Sequence, residues 1–516
     1  MTAGKIEVDN ISILVIDDCS TSATLIKHQL VSLGAKLANI TCVNSAQEAL
    51  NAVKTRFYSF IVMDYHLSTK LTGLDLINLM SRAKLISDTT AVLMISGDAT
   101  QETVLTALSG RVRHLLTKPL QTKALKNKML AALQEQHNLA EVRQSLGKCS
   151  ALTLAEVARL HKKYATSVCV ESLLIDTLVE TQQFDVLENF LPFCNDKEHA
   201  SRICAEAFLL HKQGKIREAV DVLANYVTHN PLCLRAIDNL VGLYETLGQH
   251  NNASILANRA FELTPSSSAR MVTVSRIVSK LGQIDRLYEV GYLYASNVSS
   301  TDTLWLSAMN SYVDLINEHF KTLSSANEKK KVLIKLNDFC LLAEKQLNRN
   351  QQVDLAAFKQ MMQCKLLLLE ARPEYAHRKL MKSLSYYYAT PNKTPLPLLK
   401  QAIPLMDFFG EFAIKQSLLA LLAAKSGVPM KQSAQGDNND KRLRDRYPFS
   451  TEMRLKKLSD NSIDATDIIL DESIEFLSQR PLPPNCLTGS KITYPALTRP
   501  SCQPLLTYKP HSGDEQ

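Results

Sequence analysis

Four continuous apolar runs punctuate the first 120 residues, and each ends on a polar residue. Residues 13–16 end on Asp17 and Asp18, residues 60–63 on Asp64, residues 92–95 on Ser96, and the run in HLLTKPL on Lys118 with Pro119 behind it. Short apolar runs without alternation read as strands covered on both faces, as in a parallel sheet. A weaker strand is expected over residues 39–43. Between the runs, apolar spacing predicts helices over residues 22–33, 46–53, 74–83, 100–108 and 122–133. This β/α alternation is that of an open, doubly wound α/β domain with five parallel strands.

From about residue 138 the strand signals stop and the chain reads as helices with short breaks. Helices are expected over residues 152–164, 170–180 and 184–193. Beyond them the sequence repeats. Gly214, Gly248 and Gly282 fall 34 residues apart, as do Pro231 and Pro265, and Ala219 and Ala253. KQGKIREAVDVLANYVTHNP aligns without a gap on TLGQHNNASILANRAFELTP. A 34-residue helix-turn-helix period is the signature of tetratricopeptide repeats. Glycine permits the tight turn, a small alanine lets paired helices approach, and proline cannot continue the second helix. Residues 200–300 therefore resemble tetratricopeptide repeats, with two clear copies and a worn third. The frame asks for a glycine at position 180 and finds Glu180, so any copy upstream is degenerate. Residues 301–425 stay helical but lose the frame. The 426–516 tail is polar and rich in Pro, Ser and Thr, apart from one helical pattern at 465–477, and is expected to lack a packed core.

Composition narrows the picture. The 516 residues suffice for two to four domains. A formal charge of +8 is modest over this length, and the densest basic run, Lys329 to Lys331 with Lys335, reads as a solvated helix face. A nucleic-acid partner is not expected. Neither a secretion signal nor an 18-residue apolar span is read, which suggests a cytoplasmic protein. Eleven cysteines lie dispersed, without C-x-x-C pairs, and read as free thiols. No zinc site is expected, and His161 in RLHKKY reads as a surface histidine.

Right-handed crossovers would bring the carboxyl ends of the parallel strands to one edge. Asp17, Asp18, Asp64, Ser96 and Lys118 would converge there. A lone aspartate after a strand commonly starts a turn; five such groups at matching strand ends suit phosphoryl transfer to a carboxylate. Asp64 would be the nucleophile. Asp17 and Asp18 would hold a hard divalent cation such as Mg²⁺. The Lys118 ammonium would neutralise phosphoryl oxygens, and the Ser96 hydroxyl would donate to them.

On the DD pair, the lone Asp, the Ser and the KP, residues 10–137 resemble the receiver domain of two-component response regulators. The resemblance implies a five-stranded sheet and phosphorylation of Asp64 from a phosphohistidine on a sensor kinase or phosphotransfer protein. It implies Mg²⁺ on Asp18, Asp64 and the backbone carbonyl of His66, with Asp17 behind Asp18, and a cis Lys118–Pro119 peptide. Two departures stand out. Leu115 occupies the position where receivers usually carry a switching aromatic, and Gly73 comes one residue later than the common pattern. His66 and Asp98 occupy positions that tune phosphate lifetime in that family.

The domain plan is a receiver at 10–137, a helical linker or degenerate repeat at 138–199, repeats at 200–300, a further repeat-like region at 301–425 and the tail. The expected function is that of a phosphorylation-controlled response regulator, not an enzyme, whose repeats bind a protein or peptide. A bacterial phosphorelay is its natural setting. The alternative is a scaffold or adaptor whose receiver serves for docking. A DNA-binding output would need a recognisable helix-turn-helix, and none is found.

Overall fold

The computed structural model describes residues 8–67, 72–97, 112–147, 152–164 and 167–426. The expected helix at 100–108, Asp98 and nearly all of the tail, including its 465–477 pattern, lie outside the described residues. The chain divides into two compact units, one up to Leu355 and one from Ala356.

The first unit opens with strands β1 (Ile13–Ile16), β2 (Ile40–Val43), β3 (Phe60–Asp64), β4 (Ala91–Ser96) and β5 (His114–Thr117). They form one sheet in the order β2-β1-β3-β4-β5, every pair parallel. Because successive side chains point to opposite faces, each run divides cleanly. Ile13, Val15, Phe60, Val62, Leu93 and Ile95 face α1 (Ser20–Ser32) and the start of α4 (Thr122–Leu146). Leu14, Ile16, Ile61, Met63, Val92 and Met94 face α2 (Ala46–Thr55) and α3 (Gly73–Arg82). Two-sided burial explains why these strands lack polar alternation.

Helix α4 extends well past residue 133 and runs 25 residues without a break, the stiff helical connection expected because no Gly or Pro lies between Leu120 and Gly147. Leu125, Met129 and Leu133 belong to the core under the sheet. Leu139 and Val142, on the same helix, belong to the next core, shared with α5 (Leu154–Lys163), α6 (Val168–Glu180) and α7 (Phe184–Phe190). One helix thus anchors two cores.

The helices that follow keep strict time. Helices α8 (Ala200–Lys212), α10 (Leu234–Thr246) and α12 (Ser268–Lys280) start 34 residues apart, as do α9 (Ile216–His229), α11 (His250–Leu263) and α13 (Ile284–Asn297). At each hairpin turn the glycine is left-handed, with φ of +81° at Gly214, +72° at Gly248 and +69° at Gly282. The following amides reach back to close the first helix, Lys215 N–H donating to the Leu210 carbonyl and Gln249 N–H to that of Tyr244. This is the left-handed helix cap that glycine adopts without Cβ strain. Upstream, Gln182 takes the same conformation (φ +57°) between α6 and α7. The left-handed residue there lies two positions beyond Glu180, so the expected frame slips by two.

Ala219 and Ala253 are fully buried. Ala253→Leu should overpack its site and destabilise the helical region by about 1–3 kcal/mol. A thermal melt would detect this; an unchanged melt for both Ala219→Leu and Ala253→Leu would make the alanine spacing coincidental.

The first unit continues through α14 (Trp305–Thr322), α15 (Ala326–Gln346) and into α16 (Arg349–Leu369). In the second unit, α17 (Pro373–Ser385), α18 (Leu396–Phe408) and α19 (Phe412–Ser426) follow. Ala371 (φ +57°) and Gly410 (φ +74°) make the same left-handed turns there. The hairpin therefore persists after the 34-residue frame has gone. Among the described residues, no helix is long and apolar enough to cross a membrane.

Candidate functional site

The strand ends deliver a polar cluster to one edge of the sheet. Asp64 closes β3, and Asp17 directly follows β1, its neighbour in the sheet. Asp17 and Asp64 are buried, whereas Asp18 is exposed beside them. The three carboxylates offer oxygens within 4.8 Å of one another.

Lys118, one residue past β5, spans this group. Its Nζ donates to Asp64 Oδ2 at 2.6 Å and to Asp17 Oδ2 at 3.0 Å. Burial disfavours the ammonium, but the two carboxylates outweigh it and raise the Lys118 pKa above its usual value. The Lys118–Pro119 peptide is cis. Lys118 N–H donates to the Ser96 carbonyl at 2.8 Å, tying the lysine to the end of β4. Ser96 itself is fully buried at that strand end.

Other atoms fix the carboxylates. Asp17 Oδ1 accepts from the Cys19 amide at 3.0 Å, and Asp17 Oδ2 from the Ser22 hydroxyl at 2.5 Å. The His66 amide donates to Asp64 Oδ1 at 3.3 Å, while the His66 ring is exposed and packs edge-on against Tyr65. Gly73 packs directly against the Asp64 backbone. A Cβ there would lie 2.1 Å from the Asp64 carbonyl oxygen and 2.9 Å from Met63 Cγ. Leu115 packs half-buried against the α2–α3 face of the core.

Sequence reasoning had assembled Asp17, Asp18, Asp64, Ser96 and Lys118 here, and all five lie at this edge. It missed Ser22, whose signal was weak: one of many Ser and Thr in the first turn of α1. Its reading of His161 is corrected. His161 is buried, and its Nε2 lies 2.7 Å from Glu171 Oε1. Position 171 on the next helix, invisible to local pattern, brings it inside.

Three carboxylates against one ammonium leave net negative charge, which a cation would relieve. The donors are all carboxylate oxygens, the ligand type of hard divalent ions such as Mg²⁺. The residues present therefore fit such an ion.

The response regulator receiver domain model matches residues 13–130. The chemotaxis protein CheY-3 of Vibrio cholerae is 30% identical over 120 residues, covering 23% of this chain and 89% of that protein. The transcriptional regulatory protein ZraR of Escherichia coli O157:H7 is 28% identical over 129 residues, and this match spans only 28% of ZraR's length. Among solved structures, the receiver domain of the Francisella response regulator 1452 is 25% identical, with 24% of this chain and 98% of that one covered at a TM-score of 0.22. Through residues 13–130, the chain belongs to the response regulator receiver family.

Proposed function

We propose that the chain is a response regulator phosphorylated on Asp64, and that its helical hairpins are tetratricopeptide-type repeats whose output is protein binding. The observation that carries the phosphosite is the Lys118 bridge between Asp17 and Asp64 beside an exposed Asp18. A histidine kinase or phosphotransfer protein is the donor. An Asp64 carboxylate oxygen attacks phosphorus; the P–N bond to the donor imidazole breaks, and the imidazole nitrogen keeps the electron pair. Lys118 neutralises charge on the transferred group, and the Ser96 hydroxyl donates to one of its oxygens. Asp17, Asp18, Asp64 and the His66 carbonyl would hold Mg²⁺, which would supply further positive charge there. On this reading the chain transmits a signal and has no catalytic output of its own.

Two physical links support communication with the repeats. One is the unbroken helix α4. The other is α3, which begins beside Asp64. Asp75 Oδ2 closes the capping box with Thr72, and its Oδ1 accepts from Ser299 Oγ at 2.6 Å and Thr301 Oγ1 at 2.7 Å. Ser299 and Thr301 lie in the loop after α13, so a shift of α3 is felt there. The usual aromatic switch is absent because Leu115 replaces it, and these links offer a different route.

The test compares partner capture by the phosphorylated and unphosphorylated full chain, in wild type and with Gly-Ser inserted after Gln136. Phosphorylation should change capture at least several-fold in wild type and less after the insertion. Capture that ignores phosphorylation would favour the scaffold reading. An insertion without effect would remove α4 from the route.

A further inference from the structure

The core between the sheet domain and the repeats contains a polar knot that phosphoryl chemistry does not use. Glu171 on α6 is 1% exposed, and Cys194 and His199, in the segment between α7 and α8, are also buried, at 3% and 8%. One carboxylate oxygen, the Cys194 sulfur and one imidazole nitrogen lie within 4.8 Å of one another.

The two Glu171 oxygens differ sharply. Oε1 is saturated: His161 Nε2 lies at 2.7 Å, the Asn195 amide donates at 2.8 Å and Asn195 Nδ2 at 3.1 Å. Oε2 has no hydrogen-bond partner, and neither has His199 Nε2, although the two atoms face each other at 3.3 Å. Buried polar atoms left unmatched are destabilising and uncommon in folded proteins. These two atoms form a 3.3 Å ion pair that falls short of a hydrogen bond, and the buried Cys194 thiol belongs to the same 4.8 Å cluster, so a cation seated there would partner both.

We propose that Glu171, Cys194 and His199 form a binding site for a zinc-class divalent transition metal. Zn–O and Zn–N bonds of about 2.0–2.1 Å place two tetrahedral ligands about 3.3 Å apart, the separation seen for Glu171 Oε2 and His199 Nε2. The donor set is mixed N, O and S, which suits zinc and not the hard ions of the acidic pocket. A carboxylate, a thiolate and a neutral imidazole around a divalent cation sum to zero charge, the balance a buried site requires. Binding releases the Cys194 thiol proton to solvent as the sulfur–metal bond forms.

The surroundings are those of a ligand shell. His161 and Asn195 hold the carboxylate by its other oxygen, the orienting role that outer-shell groups play at metal centres. His199 uses Nδ1 as a weak acceptor from the Arg202 amide at 3.4 Å. With the metal on Nε2 the proton moves to Nδ1 and that bond is lost. The Arg202 amide keeps the His199 carbonyl at 3.1 Å, so the start of α8 stays satisfied. The metal would pin α6 to the segment that leads into α8, and so brace the join between α4 and the periodic hairpins.

The test uses the full-length chain carrying Cys19→Ser, which removes the thiol beside the acidic pocket from the readout. After chelation and dialysis, Co²⁺ is titrated in excess Mg²⁺ and followed by absorption, then displaced by Zn²⁺. One equivalent should produce a thiolate-to-cobalt charge-transfer band that Zn²⁺ abolishes, and Zn²⁺ should raise the melting temperature. Cys194→Ala should lose the band, and Glu171→Gln should weaken binding at least tenfold, both with unchanged far-UV dichroism. Absence of the band in the parent chain, or its survival in folded Cys194→Ala, would overturn the site. Should Cys194→Ala fail to fold, the parent titration and Glu171→Gln decide; full-strength binding in Glu171→Gln would likewise reject it.

Discussion

Asp64→Asn is expected to leave the chain without any hydroxylamine-sensitive acyl phosphate after incubation with a small phosphodonor and Mg²⁺. The wild type should label at one site. The amide is nearly isosteric, so the fold should persist, but its nitrogen cannot attack phosphorus and its oxygen carries no charge. The same experiment separates the neighbours. Lys118→Ala keeps the nucleophile but removes the ammonium 2.6 Å from it, and labelling should slow by about 10²–10³-fold, as when one preorganised donor to developing charge is lost. Asp18→Asn should raise the Mg²⁺ concentration needed for half-maximal labelling, since the exposed carboxylate is the one most open to an entering ion. Labelling of Asp64→Asn at the wild-type rate would mean that the acceptor is another residue.

Gly73→Ala should produce the largest loss of stability of any single methyl addition to the sheet domain. Its Cβ would sit 2.1 Å from the Asp64 carbonyl oxygen, far inside contact distance, and that oxygen is backbone at the end of strand β3, where Asp64 pairs with Ile95 of β4. Neither side can yield by rotating a side chain. Overpacking commonly destabilises by about 1–3 kcal/mol, and the upper end is expected here. Urea unfolding would measure it. Labelling should fall too, because α3 and the Asp64 main chain must part. Wild-type stability in this variant would mean that α3 can slide away from β3 freely.

Much of the sheet domain was legible because its strands are buried on both faces. Residues 13–16, 60–63 and 92–95 need no polar side, so their runs stand out, and parallel connection then dictates that their ends meet. The 34-residue hairpins were legible for a related reason. Each repeat solves the same packing problem with the same glycine and alanine, so local chemistry recurs at fixed spacing. Where the solution varies, the pattern fades. Gln182 and Ala371 make the left-handed turn without glycine, and the repeat frame around them is lost although the hairpins are present.

By itself, then, the sequence determined the strand and helix order, the polar residues at strand ends and the hairpin period, all set by local burial and turn chemistry. Tertiary structure decided the rest. It carried α4 across two cores, because a helix ends only where capping or packing stops it, and residues 134–146 find new apolar partners. It set Asp75 against Ser299 and Thr301, residues more than two hundred positions apart. It also buried His161 against Glu171 and gathered Cys194 and His199 around the same carboxylate. Those residues share no periodicity, since they come from a helix, another helix and a loop. Only the packing of α5, α6 and the segment before α8 around one apolar core brings their polar atoms to a single point.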